Sequence, residues 1–273
     1  MKTKIFIASV FFFAISVGFS GWAQAETIKL RFGSFIPAKH PQTKVQAAWA
    51  EKTITFATNA NFPPMEFVDK KDRIVGYAIE YMEAAGMLAG FKPVFKRVDW
   101  NELVAGLNEG QYDAICSSAS ITEARKKEFD FSEPYYLIKQ VQVVFRGVRF
   151  RNPEDRVGIR VGAQVGSTGY KLGENTEGIE LRPYDDMKTA MDELIARRLE
   201  AVICDDPVAA YYANTKYKNL LQITQFIKSA EEEEYGIVDQ KGNKEILELI
   251  NTGIAKVKAR GIDRELQQKW MGR

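Results

Sequence analysis

Residues 113–136, DAICSSASITEARKKEFDFSEPYY, decide the reading of the fold. The stretch starts as an apolar strand, Asp113 to Cys116, after which hydroxyls crowd in at Ser117, Ser118, Ser120 and Thr122. A helical run follows from Glu123 to Phe129, with Arg125 in its first turn. Hydroxyls, free N–H groups at a helix start and one guanidinium together suit a carboxylate. The stretch reads as an anion-binding corner sized for one small acid.

Outward from this corner the chain alternates strands and helices, the pattern of α/β layers. On the N-terminal side, strands are expected at Thr53–Thr58, Pro93–Val98 and Tyr112–Cys116, with helices at Tyr77–Leu88 and Trp100–Leu107. Val141–Phe145 alternates too little to be half-exposed and reads as a buried strand or crossover. The pattern then restarts. A strand at Gly158–Gly162 runs into the turn Gly166–Gly169, a helix covers Asp186–Arg197, and a short strand covers Ala201–Cys204. A helix at Asp206–Ala213 carries Pro207 in its first turn, where a missing N–H costs nothing. A short strand at Gly236–Val238 and helices at Lys244–Arg260 and Asp263–Trp270 close the chain. Two rounds of one alternation suggest two similar lobes, with the candidate residues at the C-terminal ends of strands, where open α/β sheets bind ligands.

The 273 residues fit two medium domains or one large one. Residues 1–25 read as a cleaved secretory signal peptide: Lys2 and Lys4, an apolar run from Ile5 to Phe19, and Ala23-Gln24-Ala25 as the small-x-small site. Removing it takes Lys+Arg from 38 to 36, equal to Asp+Glu, so the mature chain is formally neutral. That balance gives no support for nucleic acid or an acidic membrane as partner. The acidic run Glu231–Glu234 reads as a solvated face. Cys116 and Cys204 read as two buried free thiols, although export permits a disulfide. His40 sits alone in a Pro-flanked loop, so no metal and no cofactor is implied. Residues 27–42 and 53–67 share one design, a strand, a polar turn and a Phe-Pro pair. Only one can open the lobe, and the spacing favours the second, leaving residues 26–52 as an extension.

From Thr53 to Arg273 the chain resembles the periplasmic solute-binding proteins of polar amino-acid ABC transporters, family 3. The matching stretches are NANFPPMEF (59–67), GYAIEYMEA (76–84), DWNELVAGLNEGQYDAICSSASITEARKKEFDFSEPYY (99–136), VGAQVGST (161–168), LEAVICDDPVAAYY (199–212) and EEYGIVDQKGN (233–243). Residues 27–51 instead resemble the start of TRAP-type solute-binding proteins, through Phe35-Ile36-Pro37, His40-Pro41 and Trp49-Ala50-Glu51. The family resemblance implies a two-lobed periplasmic binding protein fold (type II), with a ligand cleft between lobes joined by two crossing strands. Mapped here, lobe 1 is residues 53–139 plus 235–273, and lobe 2 is residues 140–234.

A free amino acid offers a carboxylate, an ammonium and a side chain. Arg125 can grip the carboxylate bidentately, or be a surface helix residue beside Glu128. Ser118 and Ser120, two apart in an extended segment, point the same way and can complete the shell. Asp205 matches the family's ammonium-binding aspartate; Asp206 competes, with a helix N-cap as its other role. Thr168 would accept from the same ammonium or cap a helix. Phe62 and Trp100 match the aromatic sandwich, or pack in the core. Asn59, Ser117, Gln164 and Cys204 would line the side-chain pocket. A polar, uncharged pocket favours a neutral or polar amino acid. The resemblance further implies a monomer in the periplasm that delivers its ligand to a membrane permease, with no catalytic residue. A ligand sensor would use the same site. A dehydratase or lyase on this fold would need a general acid or base in the cleft, and the sequence offers no obvious glutamate there.

Overall fold

The computed structural model describes residues 52–150, 155, 157–224 and 232–272; the leader, residues 26–51 of the extension with His40, and Glu231 lie outside them, while Lys52 opens the first strand. The chain lays down β1 (Lys52–Thr58), the short β2 (Asn61–Phe62), β3 (Glu66–Val68) and β4 (Ile74–Val75), then α1 (Tyr77–Ala89) and β5 (Phe91–Arg97). A 3₁₀ turn at Trp100–Glu102 leads into α2 (Leu103–Asn108), followed by β6 (Ala114–Ser120), α3 (Glu123–Glu128), β7 (Phe129–Phe131) and β8 (Tyr136–Ile138). Next come β9 (Gln140–Phe145), β10 (Arg160–Gln164), α4 (Thr168–Glu174), β11 (Glu180–Tyr184), α5 (Met187–Ile195) and β12 (Ala201–Asp205). Helix α6 (Asp206–Tyr211) runs into a π-helical turn at Tyr212–Lys216, and β13 (Leu221–Thr224), β14 (Glu233–Gln240), α7 (Lys244–Ala259) and α8 (Ile262–Met271) complete the chain.

These strands form two sheets. The first has the order β5-β1-β6-β14-β7, with β8 also on β14; the second has the order β11-β10-β12-β9-β13. In each sheet parallel strands (β5, β1, β6; β11, β10, β12) are joined by antiparallel ones. Central parallel strands are covered on both faces and so are buried along their length. All seven residues of β6 are buried. In the second sheet Val202 and Cys204 face one core cluster while Ala201 and Ile203 face the other. Helix α5 buries Met187, Ala190, Met191 and Leu194, the i, i+3, i+4, i+7 stripe of an amphipathic helix. The chain leaves the first sheet between β8 and β9 and returns to it on β14, so two segments join the sheets.

Helix α7 packs on α1 through Gly253, where a Cβ would stand 2.8 Å from both the Cβ and the carbonyl oxygen of Ala85. That approach is closer than side chains allow, so the helix pair depends on the missing methyl.

Several expectations shift. The strand expected to end at Cys116 continues through Ser120, because the hydroxyl residues stay in the sheet beside β14. Strand β11 was invisible in the sequence: ELRPY is half-exposed and charged, and Pro183 is tolerated because β11 is an edge. The short β2-β3-β4 sheet and the strands β7, β8 and β13 also lack an apolar run long enough to read. Strand β14 begins at Glu233, three residues earlier than the apolar pattern suggests.

Candidate functional site

One small cavity gathers residues from both sheets. It is lined by Asn59, Phe62, Trp100, Ser117, Ser118, Ser120 and Arg125 from the first sheet's side. Gln164, Thr168 and Asp205 line it from the second. Ten of the eleven residues singled out in the sequence therefore meet here. Cys204 does not: strand alternation in β12 turns it into the core with Val143, Met187 and Tyr212. Both cysteines are buried free thiols, and burial pushes each well above the usual thiol range.

The hydroxyl corner is built differently from an extended strand. Between the pairs Gly236↔Ala119 and Val238↔Ile115 the register of β14 and β6 shifts, leaving a bulge around Cys116–Ser118. Ser118 sits there at φ 48°, in the left-handed region. Bulges re-aim side chains beside functional sites, and here neighbouring Ser117 and Ser118 both face the cavity. Their duties differ. Ser117 Oγ accepts the Asn59 N–H at 3.0 Å, and Ser118 Oγ donates to Glu66 at 2.7 Å. Thr122 leaves the site altogether and caps α3, accepting the Arg125 N–H.

Arg125 points into the cavity, away from the surface role beside Glu128. It donates to the Ser120 carbonyl at 2.8 Å and, across to the second sheet's side, to the Gly166 carbonyl at 2.9 Å. A guanidinium carries five donors, so capacity for a ligand remains. Burial pulls its pKa down, while the charges of Glu233 and Asp205 hold it up. Two further bonds cross the cleft: Trp100 Nε1 to the Val165 carbonyl at 3.0 Å, and Asn101 Nδ2 to Asp185 at 3.3 Å.

On the opposite wall Asp205 ends β12, is buried, and lines the cavity. Tyr235 donates to one of its oxygens and Gln140 Nε2 to the other. Burial raises its pKa to about 7; the two hydrogen bonds oppose that rise and the charge of Glu233 adds to it. Asp206 stays outside the cavity lining, where its carboxylate accepts the Lys139 N–H at 3.1 Å. It is the first residue of α6, so the N-cap role expected of it is not taken up; Asp205 holds that position and makes no capping bond. Thr168 Oγ1 donates to Glu233 at 2.7 Å and accepts from Gln140 at 3.0 Å. The acidic run is thus not one solvated face: Glu232 is exposed, while Glu233 turns inward.

Two carboxyls escaped the sequence reading. Glu233 was hidden in its charge run. Glu66 was given no role in the sequence, yet it is fully buried and lines the cavity. Its backbone is fixed by Gly76, where a Cβ would come within 2.2 Å of the Met65 carbonyl oxygen. Burial pushes the Glu66 carboxyl well above the usual range, and Asp205 adds to this. The pocket therefore holds an ionisable carboxyl beyond the residues expected to line it. The available signal was a lone acid inside PMEFV, since Glu is almost never fully buried without a partner.

Residues 54–273 match the family described as bacterial extracellular solute-binding proteins, family 3. The chain is 27% identical over 224 residues to the L-cystine-binding protein TcyJ of Escherichia coli, covering 81% of this chain and 83% of that protein. It is 31% identical over 221 residues to a probable histidine-binding protein of Neisseria gonorrhoeae, covering 79% and 81%. Among solved structures, an ancestral arginine-binding protein bound to glutamine shares 33% identity with a TM-score of 0.74, covering 81% of this chain and 98% of that one.

Proposed function

The chain belongs to the family 3 bacterial extracellular solute-binding proteins, and from that premise we propose that it captures a free L-amino acid with a polar side chain and hands it to an ABC-transporter permease. One observation carries the reading. A guanidinium, Arg125, and a buried carboxyl, Asp205, enter the same cavity from different sheets. A zwitterion complements both at once, whereas a simple acid or amine would leave one of the two charges without a counter-charge in the cavity.

In this reading Arg125, Ser120 and the Ser118 backbone N–H hold the α-carboxylate, the Ser118 hydroxyl proton being given to Glu66, and Asp205 with Thr168 holds the α-ammonium. Phe62 and Trp100 cover the ligand and exclude water, which strengthens the charged contacts. Asn59, Ser117 and Gln164 meet the side chain. The names of the relatives, with cystine, histidine, arginine and glutamine among them, fit polar side chains. Residues 53–139 with 235–273 act as one lobe and 140–234 as the other, a division supported by the membership of the two sheets. The lobes close by hinge motion about the two crossing segments. Residues 1–25 serve as the cleaved leader and place the mature chain, a monomer, in the periplasm.

Glu66 is the observation that favours a second, catalytic reading, because a buried carboxyl with a raised pKa is what a proton donor requires. Mass spectrometry separates the two. An amino acid recovered chemically unchanged after long incubation supports binding, and a new product supports catalysis. Calorimetric titration with a panel of L-amino acids tests the binding reading itself, with micromolar affinity expected, about −8 kcal/mol. No heat and no thermal shift with any amino acid would overturn it.

A further inference from the structure

The charges that line the cavity do not balance for a neutral amino acid when every lining group is ionised. Arg125 contributes one positive charge, and Asp205 and Glu66 each contribute a carboxyl. A zwitterion with an uncharged side chain pairs with Arg125 and Asp205 and leaves Glu66 over. Glu66 cannot hold a charge there unaided, because it is fully buried and Ser118 supplies one hydrogen bond to Oε2. Among the described residues, its other oxygen, Oε1, has no hydrogen-bond partner. A buried polar atom left unpaired is costly, so an unpaired oxygen on a cavity-lining residue marks a place for a donor.

We infer that Glu66 selects the ligand's side chain through its own proton: neutral, it suits an amino acid of no net charge, and ionised, it pairs with a side-chain cation. The proton leaves the carboxyl for solvent as the cation enters. The inference rests on the amino-acid reading given above. It adds the residue that distinguishes cationic from neutral ligands, and it replaces the expectation of an uncharged pocket.

The groups around Glu66 allow its proton to be isolated. Asp205 faces it from β12, and Cys116 from β6. Tyr135 precedes β8 and Tyr235 lies on β14; both carry hydroxyls that respond to its charge. Arg125 shares the cavity. The thiol and both phenols are pushed up and stay protonated through neutral pH. Asp205 titrates near 7, but any α-ammonium engages it. The difference between a cationic and a neutral ligand therefore reports Glu66.

The probes are L-arginine and L-glutamine, two polar side chains that differ by one charge. Calorimetry of the full chain in buffers of different ionisation enthalpy counts the protons released. Arginine is expected to release about one proton more than glutamine, and while the pH is below the Glu66 pKa its affinity relative to glutamine rises up to about tenfold for each unit that the pH increases. Glu66→Gln fixes the neutral state, so the arginine-to-glutamine affinity ratio should fall by about tenfold or more and lose its pH slope. Equal proton release by the two ligands in the wild type overturns the inference even where the variant fails to fold. An unchanged ratio in a folded variant overturns it as well. If neither probe nor any other amino acid binds the wild type, the amino-acid reading falls first, which is a different result.

Discussion

The two walls of the cleft hold opposite charges and are built in opposite ways. The wall proposed to bind the carboxylate is local. Ser118, Ser120 and Arg125 come from eight consecutive residues, aimed by a bulge and one left-handed serine. The wall proposed to bind the ammonium is assembled from afar. Asp205 sits on β12, Gln140 on β9, and Tyr235 and Glu233 on β14, so both segments that join the sheets bear on one carboxyl. The first wall depends on backbone shape, and the second on burial and a hydrogen-bond network. Damage to them should look different.

Removing the guanidinium should have the largest effect. Arg125→Ala is expected to cost about 2–5 kcal/mol of binding, read by calorimetry, with the melting temperature nearly unchanged, because Arg125 sits half-buried on a short surface helix. A variant that keeps wild-type affinity would break the assignment of that wall.

Acidification acts on the other wall, and its sign separates binding from folding. Asp205 must be ionised to hold an ammonium, so affinity should fall as pH drops below about 7. The empty protein should do the reverse. A carboxyl whose folded pKa is raised favours the fold while protonated. Its contribution is therefore present below the unfolded value of about 3.8 and is lost as pH rises towards 7. Asp239, raised to about 6 by burial, has the same sign. Parallel titrations of affinity and of urea midpoint check this, and curves that fall together would contradict it.

Tyr235→Phe sharpens the comparison at smaller scale. It removes a donor to Asp205 without opening the cleft, so the Asp205 pKa should rise and the pH midpoint of binding should move up with it. A loss of about 0.5–1.5 kcal/mol at neutral pH is expected, the worth of a typical hydrogen bond. Gly253→Ala should leave both walls alone and lower stability by about 1–3 kcal/mol through overpacking against Ala85; a change in ligand affinity beyond error would show that the distant helix pair governs the cleft.

The same contrast explains what could be read from the sequence. The local wall was legible because its residues are contiguous and its chemistry is carried by residue type. Asp205 became legible through the family pattern. Tyr235, Gln140 and Glu233 were not, because their roles arise where chain segments meet. Glu66 was lost because an acid beside Phe67 at the start of a three-residue strand has no periodicity to betray its burial. Helices with strong apolar stripes, α5 and α7, were read to within a few residues. Edge strands such as β11 were missed because half-exposed charged residues leave no stripe.

The central claim is that both α-groups of one ligand are held, one by each wall. Calorimetric titration of L-glutamine and L-arginine against their N-acetyl and C-amide derivatives tests it most directly. The account predicts that whichever free amino acid binds loses at least about 2 kcal/mol when either end is blocked. Undiminished binding of an N-acetyl or amide form would contradict it.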